Sequence, residues 1–112
     1  MNATLNALAE PNRLHIIEML RDRPCTVNEI VARLHLGQPL VSKHLRVLRE
    51  ARLVLARPQA QQRVYQLAAE PLEKLDAWLE PFRRLWEGRL ETLDDTLQEI
   101  KQDQGKDQEG TE

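Results

Sequence analysis

Between residues 26 and 50 the apolar positions recur three and four apart in two short runs, interrupted at Leu36 and Gly37. That spacing predicts two amphipathic helices joined by a tight turn. In the first run Val27, Ile30, Val31 and Leu34 share a face, and Thr26 followed three residues on by Glu29 forms a capping box at its start. The second run is predicted over residues 38–50, entered through Gly37 with Pro39 in the first turn, where a missing backbone N–H costs little. At about 100° per residue, Val41, Leu45 and Leu48 fall on one side of this helix. Pro39, Lys43, Arg46 and Glu50 fall on the other, with Gln38 at the start, Ser42 on the flank and His44 at the edge of the apolar face. A helix that enters a DNA major groove needs phosphate and base-edge partners at such outward positions. An ordinary solvated face would carry them too.

The flanking segments extend the pattern. Leu5 and Leu8 predict a short first helix, and Pro11 restarts the chain into a second, with Leu14, Ile17 and Leu20 at three-residue steps and Ile16 thickening the stripe. Arg13 reads there as a phosphate contact or a surface ion pair. His44 reads as a phosphate contact or as padding at the core edge. Beyond Arg52, residues 53–57 and 62–67 are β-prone runs separated by Pro58, Gln59, Ala60 and Gln61, and they predict a hairpin. Arg57 and Arg63 flank its tip, within reach of a phosphate or a minor groove.

Residues 71–101 carry a longer repeat. Leu72, Leu79, Trp86, Leu93 and Ile100 recur every seven residues, Leu75 and Phe82 fill a second seam that passes to Leu90 and Leu97, and Trp78 and Leu85 widen the stripe. Such a helix would run about 45 Å at ~1.5 Å per residue, more than a domain of about 65 residues can cover. Much of its apolar face therefore needs a partner chain. The simplest partner is the same helix of a second copy, with the first helix in support, which assigns Leu5, Leu8, Leu72, Leu75, Leu79, Phe82, Trp86, Leu90 and Leu93 to dimerisation. Pro81 predicts a kink or a break before Phe82. The aromatic run Trp78, Phe82 and Trp86 reads as interface core rather than a ligand cage.

The runs ALAEPNRLHIIEML, TVNEIVARL, GQPLVSKHLRVLREARLV and RVYQL together resemble the winged helix-turn-helix of the arsenical-resistance repressor family, also called the ArsR/SmtB family, over about residues 3–67. The resemblance implies a mainly α fold with a small β-hairpin, residues 38–50 as recognition helix, residues 53–67 as wing, and a homodimer joined through the terminal helices. It also implies a bacterial transcription factor, in most members a repressor. The pattern WLEPFRRLWEGRLETL after the wing is similar to the metal-independent branch that resembles sporulation-delay-type regulators.

Charge sharpens this reading. The chain of 112 residues has a formal net charge of −2, but residues 1–66 carry ten Lys and Arg against five acids, while residues 67–112 carry six against thirteen. Between Arg33 and Arg63 there are seven cations and one acid, Glu50. Positive charge is thus concentrated on the reading helix and hairpin. Residues 1–101 read as one winged domain with its dimerisation helix, and the polar residues 102–112 as a disordered acidic tail. No apolar run approaches the ~18 residues that span a membrane, and the N-terminus lacks a basic region followed by an apolar stretch, so a cytoplasmic protein is expected. One cysteine, Cys25, excludes an internal disulfide.

Metal-sensing members of the resembled family carry two thiolates in the first helix of the pair, and these positions are Thr26 and Asn28 here. No histidine follows His44, where the family's other site would draw its ligands. No metal site, cofactor or catalytic constellation is expected, since no nucleophile lies beside a base and no glycine-rich phosphate loop is present. The expected function is sequence-specific binding of double-stranded DNA at an inverted repeat, through Gln38, Pro39, Ser42, Lys43, His44, Arg46, Arg57 and Arg63. An effector, protein or small molecule, stays unassigned. The alternative is a winged protein-interaction module with weak or no DNA binding.

Overall fold

The computed structural model describes the backbone of residues 1–110 and the side chains of residues 1–101; the expected tail, 102–112, lies outside the described side chains. Thr26 closes the capping box that its spacing to Glu29 predicts: its Oγ1 accepts from the Glu29 N–H at 3.2 Å, and Glu29 Oε1 accepts from the Thr26 N–H at 3.4 Å. Helix α3 (Val27–Leu34) starts on that box and ends at His35, whose left-handed backbone (φ 57°) breaks the helix. Ahead of it stand α1 (Asn2–Leu8) and α2 (Pro11–Asp22), the latter with Pro11 in its first turn and Glu10 as N-cap. After Gly37 the chain forms α4 (Gln38–Glu50), the bounds its pattern predicts.

Val41, Leu45 and Leu48 of α4 are fully buried against Ile16 and Leu20 of α2, Ile30 of α3, and Leu53 and Val54 beyond α4. The stripe expected on α2 is corrected by the structure. Ile16 and Leu20, one turn apart, carry the burial, while Leu14 is 42 % exposed. Leu14 sits about 200° around the helix from Ile16, so both cannot face one core.

The expected hairpin is part of a three-stranded antiparallel sheet. Strand β1 (Cys25–Thr26) pairs with β3 (Gln62–Leu67), which pairs in turn with β2 (Val54–Gln59) in the order β1-β3-β2. The two residues of β1 are too few to leave a period in the sequence. Pro58 belongs to β2 rather than to the turn, and it is tolerated because β2 is an edge strand. The loop is therefore only Ala60 and Gln61, with Ala60 at φ 56°. Helix α5 (Ala69–Gly110) is a single 42-residue helix that runs through Pro81 without a break. By packing, the chain divides into two compact units, Met1–Asp76 and Ala77–Glu112.

The end of α4 decides where the sheet begins. The Leu53 N–H donates to Leu48 O and the Arg52 N–H to Arg49 O, both at 2.9 Å, while Arg52 adopts φ 62°. This is a Schellman cap with arginine at the left-handed position that glycine usually fills, and Leu48 and Leu53 supply its apolar contact. An L-residue there is strained by about 1 kcal/mol. Arg52→Gly is expected to raise stability by about 0.5 kcal/mol after the added entropy of the unfolded chain is counted, read as a higher urea midpoint at unchanged slope.

Candidate nucleic-acid interface

Burial of Val41, Leu45 and Leu48 turns the opposite side of α4 to solvent. Gln38, Pro39, Ser42, Lys43, Arg46 and Arg49 are all exposed. The sheet adds a second wall through its alternation. Pro58 pairs with Arg63 and Ala56 with Tyr65, so Arg63 shares the face of buried Tyr65; Arg57 pairs with Val64 and lies on the other face. Between α4 and the wing runs a cleft of about 450 Å³, where Gln38, Ser42, Arg46 and Arg49 of α4 meet Gln62 and Arg63 of β3. Asn28 and Thr26 close its end.

Three guanidiniums line this cleft, those of Arg46, Arg49 and Arg63, and no acid does. None of the three makes an ion pair or side-chain hydrogen bond among the described residues. Unpaired cations converging on a concave surface attract an anion, because nothing within the protein neutralises them. The uncharged amides and hydroxyl at the Gln38 end offer both donors and acceptors, which base edges require.

The structure brings together four of the residues expected to meet DNA: Gln38, Ser42, Arg46 and Arg63. Pro39 and Lys43 are exposed on α4 but do not line the cleft. Arg57 is turned away, its guanidinium donating to Gln66 Oε1 at 2.6 Å. His44 is 7 % exposed and belongs to the inner side of α4, which takes it off the DNA-facing stripe. Arg49 was missed by the sequence reading. It lies eleven residues after Gln38, about 20° around the helix, so its place was available from spacing alone. Gln62 and Asn28 needed the fold to bring them there. Arg13, read as a phosphate contact or a surface ion pair, does neither. Its Nε and Nη2 donate to the carbonyls of Ala7 (2.7 Å) and Asn6 (3.2 Å) at the end of α1.

The residues assigned to dimerisation lie on two elements. On α1, Leu5 is 41 % exposed and Leu8 is half-buried against the core. On α5, Leu72, Leu75 and Leu79 are half-buried, while Phe82, Trp86, Leu90 and Leu93 are exposed. The rings of Trp78, Phe82 and Trp86 stack along one side of the helix, at centroid distances of 4.8 and 6.5 Å.

Comparison with known proteins places these features in a family. Residues 10–56 match the family described as bacterial regulatory protein, arsR family. The HTH-type transcriptional regulator Rv2034 of Mycobacterium tuberculosis is 43 % identical over 76 residues, which cover 68 % of this chain and 71 % of that protein. The HTH-type transcriptional repressor SmtB of the same organism is 42 % identical over 64 residues, 57 % of this chain and 47 % of the repressor, so the match spans about half the length of that relative. Among solved structures, the ArsR family transcriptional regulator RHA00566 superposes with a TM-score of 0.68 at 29 % identity, covering 77 % of this chain and 89 % of its own.

The Thr26 hydroxyl is committed to the capping box, and among the described residues no group of three or more His, Cys, Asp or Glu is placed to hold a metal. Cys25, the one thiol, is 3 % exposed in β1 and donates to Arg23 O at 3.4 Å. Burial pushes its pKa up, the Glu29 carboxylate adds to this, and Arg23 partly opposes it. The protonated form therefore dominates at neutral pH, and it is a poor nucleophile. Alkylation by iodoacetamide at pH 7 is expected to be on the order of tenfold or more slower in the folded protein than after urea unfolding. Equal rates would show that Cys25 is accessible and ionised.

Proposed function

We propose that this chain, which belongs to the arsR family of bacterial regulatory proteins, represses transcription by gripping an inverted-repeat operator as a homodimer, with α4 in the major groove and the wing beside it. As a member of that family it is a DNA-binding transcriptional regulator and not an enzyme. The observation that carries the finer reading is the acid-free cleft in which Arg46, Arg49 and Arg63 stand unpaired among the described residues. In this reading those three guanidiniums and Lys43 hold phosphates, and Gln38 and Ser42 meet base edges. Repression is supported by the likeness to SmtB, a transcriptional repressor.

Dimerisation is supported by the apolar stripe of α5, where Trp86 is 48 %, Leu93 53 % and Leu90 63 % exposed in a single chain. A two-fold dimer would cover it and set two reading helices one DNA turn apart. Regulation without a resident metal is supported by Thr26 and Asn28 at the thiolate positions.

Affinity is expected to fall ~10³- to 10⁵-fold between 50 and 200 mM salt if a dimer meets about six to ten phosphates, and to be unchanged by micromolar zinc. Arg46→Ala, Arg49→Ala and Arg63→Ala should each lower the salt slope by about one per half-site, and Arg57→Ala should leave it alone. Fluorescence anisotropy across a salt series measures both, and a flat dependence rejects the phosphate reading.

Trp86→Ala and Leu79→Asp are expected to shift the dimer toward monomer, since truncating a large apolar side chain in a packed seam costs ~3 to 5 kcal/mol. Both should weaken operator binding without altering a DNA-facing residue, because a monomer holds only one half-site. Sedimentation of folded variants that stay dimeric would place the interface elsewhere.

A further inference from the structure

The buried face of α4 has one polar member. His44 has a side chain only 9 % exposed, and its Nδ1 finds no hydrogen-bond partner among the described residues. It faces the Glu10 carboxylate, 3.8 Å away on the N-cap of α2. A buried imidazole nitrogen without a partner is costly, so such a group is kept where its direction matters. Glu10 is engaged on its other side as well, because the same Oε2 accepts from the Arg13 N–H at 2.9 Å. Arg13 in turn grips the last carbonyls of α1 through its guanidinium.

These contacts form one line: the end of α1, Arg13, the Glu10 carboxylate, and His44 on the recognition helix. Apolar packing of Val41, Leu45 and Leu48 holds α4 against the core but is non-directional, and it permits small rotations about the helix axis. The approach of His44 Nδ1 to one carboxylate, at 3.8 Å, adds the directional term that apolar packing lacks. A rotation of a few degrees would displace Gln38, Ser42 and Arg46 together, and base-edge hydrogen bonds tolerate little error.

We propose that Glu10 and His44 are positioning residues for DNA recognition: the carboxylate that caps α2 also fixes the rotation of α4 through His44, and Arg13 ties that setting to α1. In this arrangement a proton on His44 Nδ1 would point toward the Glu10 carboxylate, 3.8 Å away. The proposal rests on the DNA reading of α4. It differs from that reading in placing part of the sequence preference on residues that touch no DNA.

The experiment uses the full chain and two duplexes, one selected from a random pool by the wild-type protein and one random. Glu10→Ser keeps a good capping oxygen for α2 but cannot reach His44. It is expected to cut the preference for the selected duplex by about threefold to tenfold, with binding to the random duplex unchanged within about twofold. His44→Leu should do the same, and the double variant should be no worse than either single one, as members of one contact are non-additive. His44→Asn, whose side-chain amide nitrogen takes the place of Nδ1 and can still donate toward Glu10, should recover most of the preference. In the wild type, the ¹⁵N shift of His44 Nδ1 should report a protonated nitrogen and move in Glu10→Ser. Full preference in folded Glu10→Ser, or additive losses in the double variant, overturns the positioning role while leaving the DNA reading intact. Failure of the wild-type protein to select any sequence overturns the DNA reading itself, and the proposal with it.

Discussion

Everything on the DNA-facing surface depends on the burial of Val41, Leu45 and Leu48 along one side of α4. Each such side chain stabilises by roughly 1.5 to 3 kcal/mol when removed from water, so the three together outweigh any surface electrostatic term on the helix. That margin allows the opposite side to carry unpaired arginines. A rotation of α4 by one residue would bring Ser42, Arg46 and Arg49 into the core, where an unpaired guanidinium costs several kcal/mol. Apolar burial thus decides which side chains reach solvent, and the cation face follows from it.

The second condition is segregation of charge. Among the described residues Glu50, the one acid between Arg33 and Arg63, pairs with none of Arg46, Arg49 and Arg63, while Glu29 caps α3 and pairs with Arg23, and Glu10 caps α2. Most remaining carboxylates lie on α5, where Glu70 and Glu80 pair with cations of the same helix. A net charge of −2 therefore coexists with a strongly positive cleft. The field that a polyanion meets is local, since screening confines it to about 8 Å at physiological salt.

How far the sequence discloses this fold depends on how local each cause is. The capping box at Thr26 and the span of α4 were legible because they depend on spacings of three and four within one segment. Strand β1 was not, since two residues pair with Tyr65 and Val64 nearly forty positions away and leave no period of their own. The same limit applies to Arg57 and Arg63. Both flank the hairpin tip in sequence, and alternation sets them on opposite faces with a two- or a four-residue turn alike, but which face meets α4 is decided by the packing of the sheet. His44 marks the boundary between the two cases. Spacing set it at the edge of the apolar face, and only its distance from Glu10 showed which side of that edge it takes.

The apolar stripe of α5 holds one further piece of geometry. Its second seam runs Leu75, Phe82, Leu90, Leu97, with steps of seven, eight and seven residues, or 22 residues over six turns. That is about 3.7 residues per turn, close to the 3.6 of an undistorted helix and above the 3.5 that winds a left-handed coiled coil. A stripe with this period stays on one side of a straight helix and does not wrap around it. The first seam, Leu72, Leu79, Trp86, Leu93 and Ile100, keeps a strict step of seven, the 3.5 residues per turn of a left-handed coiled coil, so the two seams drift relative to one another along the helix. Gly88 lies two residues, about 200°, on from Trp86 and therefore faces away from the stripe. The three large aromatic rings lie only on its N-terminal side, at Trp78, Phe82 and Trp86, and aliphatic Leu90, Leu93 and Leu97 on the other. An antiparallel pairing of two such stripes would set rings against leucines on both sides, filling each with unlike shapes, whereas a parallel pairing would set rings on rings and leave the leucines to themselves.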